Sequence, residues 1–135
     1  MNHGYDSTKA IMAHLRPVLD DPARRVIVAG DLNLLPRSIP RRVFKDHGLV
    51  ELSTYTASQR QPLDGCTHCD AGDACGHLWT HRNGNGPNAR RQQIDFLMAS
   101  KPHLRRLVSY EGGPDRFPDI WTMSDHAPLV ATFRI

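Results

Sequence analysis

The sequence predicts an α/β fold, because an amphipathic helix, a β-branched strand and a final apolar strand follow one another along the chain. Apolar residues recur at helical spacing over residues 7–19, although Pro17 should kink or loosen the last turn. Residues 25–29 form a short β-branched run that ends at Gly30, which is typical of a buried strand. A helix, a turn and a buried strand in this order indicate a layered α/β architecture.

A second helix and several more strands complete the predicted elements. Ser38 can cap a helix over residues 39–47, whose first turn tolerates Pro40 and which Gly48 terminates. The last strand carries apolar residues at most positions, so we expect it to be largely buried. No internal repeat and no linker divides the sequence, and residues 1–135 are therefore predicted to form one domain. The later strands are predicted at residues 78–80, 93–99, 104–110 and 129–135.

The composition favours a folded protein with a polyanionic partner. Hydrophobic residues make up 39% and charged residues 23% of the 135 residues, which is ordinary for a globular chain. The formal charge of +3 comes with arginine pairs, which suit nucleic acid, although a well-solvated surface explains so small an excess equally well. There is no apolar run of roughly 20 residues and no signal-peptide pattern, so we expect a cytoplasmic protein without membrane association.

A long loop over residues 60–90 contains all three cysteines of the chain. Cys66, Cys69, Cys75 and His77 offer the four ligands of a tetrahedral zinc site, with His68 as the main substitute. Such a zinc ion would be structural, because it would staple a loop of little apolar content. The alternative is three reduced cysteines in an ordered loop, since an odd number in a cytosolic protein argues against disulfides.

Polar residues at the ends of predicted strands are the candidates for chemistry. Asp31 and Asn33 follow the first strand, where Asp31 can orient a water and Asn33 can bond a phosphate oxygen; both are also common turn residues. Asp125 and His126 precede the last strand and can hold a metal and donate to a phosphate. Asp95 lies inside an apolar strand and needs a buried partner, for which His126 is suitable, unless it faces solvent.

Taken together, three segments resemble consecutive motifs of the endonuclease/exonuclease/phosphatase superfamily. They are VIVAGDLN at residues 26–33, QQIDFLMAS at 92–100 and SDHAPLVA at 124–131. The resemblance implies the carboxy-terminal portion of a deoxyribonuclease-like domain. The corresponding fold class is α/β (α+β), a partial four-layer α/β sandwich with mainly one mixed or antiparallel sheet and helices on its outer face.

The same resemblance implies a metal-assisted attack of water on a phosphate ester. Asp31, Asn33, Asp95 and His126 match the catalytic positions: Asp31 orients and deprotonates the water, Asn33 steadies the Asp31 carboxylate and the phosphate, and Asp95 orients His126. Asp125 and Asp31 match the positions that hold Mg²⁺ or Mn²⁺. The substrate phosphate would be bound by Asn33, His126, Arg90 and Arg91, and Trp79-Thr80 resembles the strand before the Asp95 motif, where Trp79 is equally well a core residue.

The upstream half of the family domain, with its Asn and its metal-binding Glu, has no counterpart in this sequence. We therefore expect the chain to pair with a copy of itself or with a complementing amino-terminal fragment, since an uncovered sheet face is rare in a monomer. The leading hypothesis is a phosphodiesterase or nuclease. The alternatives are a non-catalytic nucleic-acid-binding remnant of the same fold and an interaction module built on the cysteine loop.

Overall fold

The computed structural model describes residues 3–34, 38–53, 55, 80–84, 90–112 and 118–135. The predictions for Cys66, Cys69, Cys75, His77 and Trp79 lie outside these residues. Helices and strands follow one another in the order α1 His3–Leu19, β1 Ile27–Asp31, α2 Ile39–Asp46, β2 Leu49–Glu51, β3 His81–Asn83, β4 Arg90–Gln92, β5 Asp95–Ser100, α3 Lys101–Leu104, β6 Leu107–Gly112, a 3-10 helix Pro118–Thr122 and β7 Leu129–Phe133.

Strand β5 is the centre of a three-stranded antiparallel sheet. It lies between β1 and β2, with Ile27 opposite Ala99 and Leu49 opposite Ser100. The two helices α1 and α2 contact each other and cover one face of this sheet. Their shared core is built from Met12, Val26, Leu34, Phe44, Leu49, Phe96 and Met98. The predicted α/β class, with a sheet and outer helices, is confirmed.

The strands β6 and β7 form an antiparallel hairpin with an irregular register near Leu107. A second apolar cluster holds this hairpin beside the central strand, because the side chains of Leu52, Ala99 and Tyr110 are buried there. β3 and β4 form a separate two-stranded ribbon. Within the described part of the chain, no helix has both the length and the apolar character needed to cross a bilayer.

Several predicted boundaries were wrong. Helix α1 begins at His3 rather than at residue 7, and it passes through Pro17 to Leu19. The proline is tolerated because Ala13, whose carbonyl it cannot bond, is exposed and open to water. Strand β2 was not predicted, and Leu104 belongs to α3 rather than to the following strand.

The expectation of buried first and last strands was also wrong. Ile27 in β1 and Val130 in β7 are each 44% exposed, and burial alternates along β7. Successive residues of a strand point to opposite faces, and in these strands only one face has a packing partner among the described residues. An apolar sequence therefore predicted the strands but not the depth of their burial.

A buried ion pair links the helices to both flanks of the sheet. Arg41 on α2 is fully buried and pairs with Glu51 at the end of β2, through Nε to Oε2 at 3.2 Å and through a second, shorter contact. Its Nη1 also donates to the carbonyl oxygens of Leu34 and Gln93, both at 3.1 Å. The arginine guanidinium also lies 4.6 Å from the ring centroid of Phe96. The Arg41–Arg42 pair is therefore not the surface basic pair that the sequence suggested.

Replacing Arg41 by Met should destabilise the fold by about 3–5 kcal/mol, because Glu51 would lose its buried partner and would be left with Lys45, a partly exposed cation at 3.7 Å. The measurement is urea unfolding at neutral pH. Arg42→Met on the neighbouring, exposed position is the matched control and should change stability by less than about 0.5 kcal/mol. Equal effects of the two substitutions would contradict the structural role of Arg41.

Candidate active site

The end of β1 is shaped by two residues with unusual backbone angles. Gly30 has φ 146°, a value that glycine adopts freely. Asn33 has φ 51°, in the left-handed region that asparagine adopts more readily than most residues. The Asn33 backbone N–H donates to Oδ1 of Asp31 at 2.8 Å, which closes a tight local turn. One carboxylate oxygen of Asp31 thus holds the loop, and the exposed side chain leaves the other for a ligand.

Strand pairing brings Asp95 to the same place. Asp31 and Asp95 are direct partners in the antiparallel ladder of β1 and β5, and the Leu32 N–H continues the ladder to the Ile94 carbonyl. Residues directly opposite in such a ladder point to the same face. Two carboxylates that are 64 positions apart in the sequence therefore lie side by side at one end of the sheet.

His126 completes this group. Its Nδ1 lies 2.9 Å from Oδ2 of Asp95, with 34% of the histidine side chain and 18% of the aspartate side chain exposed. The His126 backbone N–H donates to Oγ of Ser124 at 3.0 Å. The bond to Asp95 fixes the orientation of the imidazole ring and leaves Nε2 for a substrate or an ion.

Thr80 links the start of β5, which carries Asp95, to the segment that carries His126. It is fully buried, and its Oγ1 accepts the N–H groups of Ile94 at 3.2 Å and Asp95 at 3.0 Å. Its carbonyl accepts the Ala127 N–H at 2.7 Å, one residue after His126. The side chain and the backbone of this one residue therefore connect the segment of Asp95 to the segment of His126.

His81 and Asp125 also lie close to His126. Nε2 of His81 is 3.7 Å from Oδ2 of Asp125, whose side chain is 71% exposed. The rings of His81 and His126 are 4.7 Å apart between centroids and tilted by 50°. The structure thus places Asp31, Asp95 and Asp125 around His126, with an imidazole neighbour that sequence reasoning missed.

The surroundings of His126 favour its charged form. Burial of the ring lowers the pKa, but the hydrogen bond to Asp95 and the negative charges of Asp95, Asp31 and Asp125 together outweigh it. The net result is a pKa of His126 above the ordinary histidine value. A protonated imidazole at this place can donate to a phosphate oxygen and stabilise developing negative charge.

Two groups of side chains have the geometry to hold a cation. In the first, Asp31, Asp95 and His126 each offer an atom within 4.8 Å of the others, and in the second, His81, Asp125 and His126 do so. Asp31 and Asp125, which the sequence assigned to one magnesium ion, belong to different groups. The two carboxylates of the first group fit a hard divalent ion, which prefers oxygen ligands.

The structure describes only part of the predicted phosphate-binding set. Arg90 and Arg91 occupy β4, opposite Asn83 and Arg82 of β3, and their side chains lie outside the described atoms. Sequence reasoning missed His81, Arg41 and the bonds of Thr80. Thr80 and His81 belong to or follow the Trp79-Thr80 match, but their partners come from distant parts of the chain.

A family model described as Endonuclease/Exonuclease/phosphatase family matches residues 8–126. The match covers most of the chain, and the protein belongs to this family of nucleases and phosphoesterases. No curated protein gives a significant match to the chain.

Among solved structures, an AP endonuclease from Archaeoglobus fulgidus has a similar fold. The TM-score is 0.66 at 17% sequence identity, and the match covers 97% of this chain and 53% of the endonuclease chain. The present chain therefore spans about half the length of the protein that it resembles. At this identity the likeness establishes the deoxyribonuclease-like fold, and the resemblance predicted from the three motifs is confirmed.

Asp95→Asn should lower the pKa of His126, because the substitution removes the nearest negative charge. Folding raises this pKa, so the histidine's contribution to stability is complete below the ordinary histidine pKa and is lost as pH rises through the folded value. The stability difference between wild type and variant should shrink in that same window. The measurement is an NMR titration of the histidine Cε1–Hε1 signals.

Asp20→Asn, at the exposed end of α1, is the matched control and should leave the His126 titration unchanged. An unaltered titration in Asp95→Asn would show that the carboxylate does not control the ring.

Proposed function

We propose that the protein is a divalent-metal-dependent phosphodiesterase that acts on nucleic acid. The observation that carries the proposal is the cluster of Asp31, Asp95 and His126, in which two carboxylates and an imidazole meet at one end of the sheet. Membership of the Endonuclease/Exonuclease/phosphatase family supports a hydrolytic reaction at this place.

In the proposed reaction Asp31 accepts a proton from the attacking water. Its carboxylate is exposed at the strand end, and Asn33 follows it in a turn that is closed by the bond from the Asn33 N–H to Oδ1 of Asp31. Asn33 would bond a nonbridging phosphate oxygen through its amide. General-base assistance of this kind contributes roughly 10²–10⁴-fold to a rate.

His126 would act on the phosphoryl group as a hydrogen-bond donor. Asp95 holds its Nδ1, so that Nε2–H can point toward the oxygen on which negative charge develops. A bound Mg²⁺ or Mn²⁺ would be held by Asp31 and neighbouring carboxylates, and it supplies Lewis-acid polarisation of a phosphate oxygen. Asp125 is exposed and close to His126, and it would hold a water of that ion.

The choice of nucleic acid rests on charge and on strand position. The β3–β4 ribbon begins at His81, next to His126, and its backbone carries Arg82, Arg90 and Arg91. Arginines beside a hydrolytic site can bind successive phosphates of a chain.

Purified protein should cleave plasmid or single-stranded DNA with Mg²⁺, and EDTA should stop the cleavage. Asp31→Asn and His126→Gln should each lower the rate by roughly 10²-fold or more, because each removes a group that acts in the transition state. His14→Gln, an exposed histidine of α1, is the matched control and should leave the rate unchanged. Salt-sensitive DNA binding without any cleavage would instead identify a non-catalytic remnant of the fold.

We also propose that the exposed side of β1 is covered by a second polypeptide, either a copy of this chain or a complementing amino-terminal fragment. Ile27 and Ala29 are exposed on the strand face that bears Asp31, and the fold match spans 53% of the endonuclease chain. Apolar residues exposed together on one face of a sheet favour an interface.

Light scattering at micromolar concentration should give about twice the 15.2 kDa chain mass, and Ile27→Asp should return the monomer mass. Val18→Asp on α1, where an apolar side chain is also exposed, is the matched control and should keep the dimer. A monomer that binds no hydrophobic dye would contradict the covered face, whereas a dye-binding monomer favours the complementing fragment.

A further inference from the structure

We propose that His81, Asp125 and His126 form a second metal site, selective for a transition-metal ion such as Zn²⁺, and that an ion held there inactivates His126. One ligand atom of each residue lies within 4.8 Å of the others. The 3.7 Å between Nε2 of His81 and Oδ2 of Asp125 is close to the spacing of two ligands on one small ion.

The donor types separate this site from the magnesium group. Two imidazoles and one carboxylate suit Zn²⁺, Co²⁺, Ni²⁺ or Cu²⁺, whereas Mg²⁺ prefers oxygen ligands and water. Asp31 and Asp95 supply such oxygens in the other group. The two groups share one residue, His126, so an ion in either group changes what His126 can do in the other.

The backbone holds the three ligands in place before an ion arrives. His81 and His126 are antiparallel bridge partners, so their side chains lie next to each other. The Arg82 N–H donates to the Asp125 carbonyl at 2.9 Å, and the Ala127 N–H donates to the Thr80 carbonyl at 2.7 Å. These bonds flank the ligands on both sides, and little rearrangement is needed for binding.

The hydrogen bonding of His126 also suits a metal ligand, whereas Nδ1 of His81 is buried without a hydrogen-bond partner among the described residues. Metal-binding histidines usually bond their second nitrogen to a carboxylate or carbonyl, and Asp95 does this for His126. The His81 side chain is 16% exposed and that of Asp125 is 71% exposed, so an ion can enter from the aspartate side. It would keep open positions for water, as in zinc sites with three protein ligands.

The binding test uses Co²⁺ as a visible probe, added to the full chain in excess Mg²⁺. Wild type should develop the absorption of bound Co²⁺, and His81→Asn should weaken the affinity about tenfold or more. His14→Asn is the matched control and should bind like wild type. Unchanged Co²⁺ affinity in His81→Asn would overturn the site.

Two further variants control for Co²⁺ binding by the cysteine loop and for misfolding of His81→Asn. The double variant Cys66→Ser with Cys69→Ser removes two of the four ligands predicted in the cysteine loop. Their thiolates would add a charge-transfer band to the Co²⁺ spectrum. The part of the spectrum that depends on His81 should persist in this variant. Asp125→Asn, an exposed position, should lower Co²⁺ affinity like His81→Asn even if the latter fails to fold. Full affinity in Asp125→Asn would also count against the site.

The inactivation rests on the proposed hydrolysis and has a separate readout. Zn²⁺ at low concentration should inhibit Mg²⁺-dependent cleavage in wild type, and His81→Asn should need roughly tenfold more Zn²⁺ for the same inhibition. Equal inhibition of both proteins would refute the shared use of His126. Absence of cleavage in every protein would refute the proposed function, while the Co²⁺ experiment would still decide the metal site.

Discussion

The buried pair of Arg41 and Glu51 is the interaction on which the site depends. The Arg41 guanidinium donates hydrogen bonds to the carbonyl oxygen of Leu34, just after the Asp31 loop, and to that of Gln93, two residues before Asp95. Burial lowers the pKa of Arg41, and the charge and hydrogen bond of Glu51 act against that effect. The cost of a buried charge is thus offset by contacts that tie both carboxylate-bearing strand ends to α2.

A network of neutral groups completes this connection. Ser53 donates to Glu51 at 2.9 Å, and Gln93 donates to Ser53 at 3.0 Å, all within the buried interior. On the opposite side, Thr80 bonds the Asp95 backbone and the segment that carries His126. The site therefore rests on two buried polar anchors, and the apolar core holds the helices against the sheet behind it.

His126 takes part in both the proposed hydrolysis and the proposed transition-metal site. Asp95 orients its ring, three carboxylates raise its pKa, and His81 stands beside it. A charged imidazole serves phosphate chemistry, whereas a neutral imidazole binds a transition metal. The same geometry would thus serve the proposed Mg²⁺-dependent hydrolysis and let an ion that competes for one nitrogen of His126 inhibit it.

The sequence by itself determined the family, the helices α1 and α2, the strands β1, β5, β6 and β7, and the candidates Asp31, Asn33, Asp95, Asp125 and His126, since each candidate stands beside a strand whose periodicity is visible in short windows. Only the tertiary structure decided that Arg41 is buried and that His81 adjoins His126. It also decided that β1 and β7 are half-exposed. These features depend on pairings between residues far apart in the chain, and no local sequence pattern specifies which strands pair with each other.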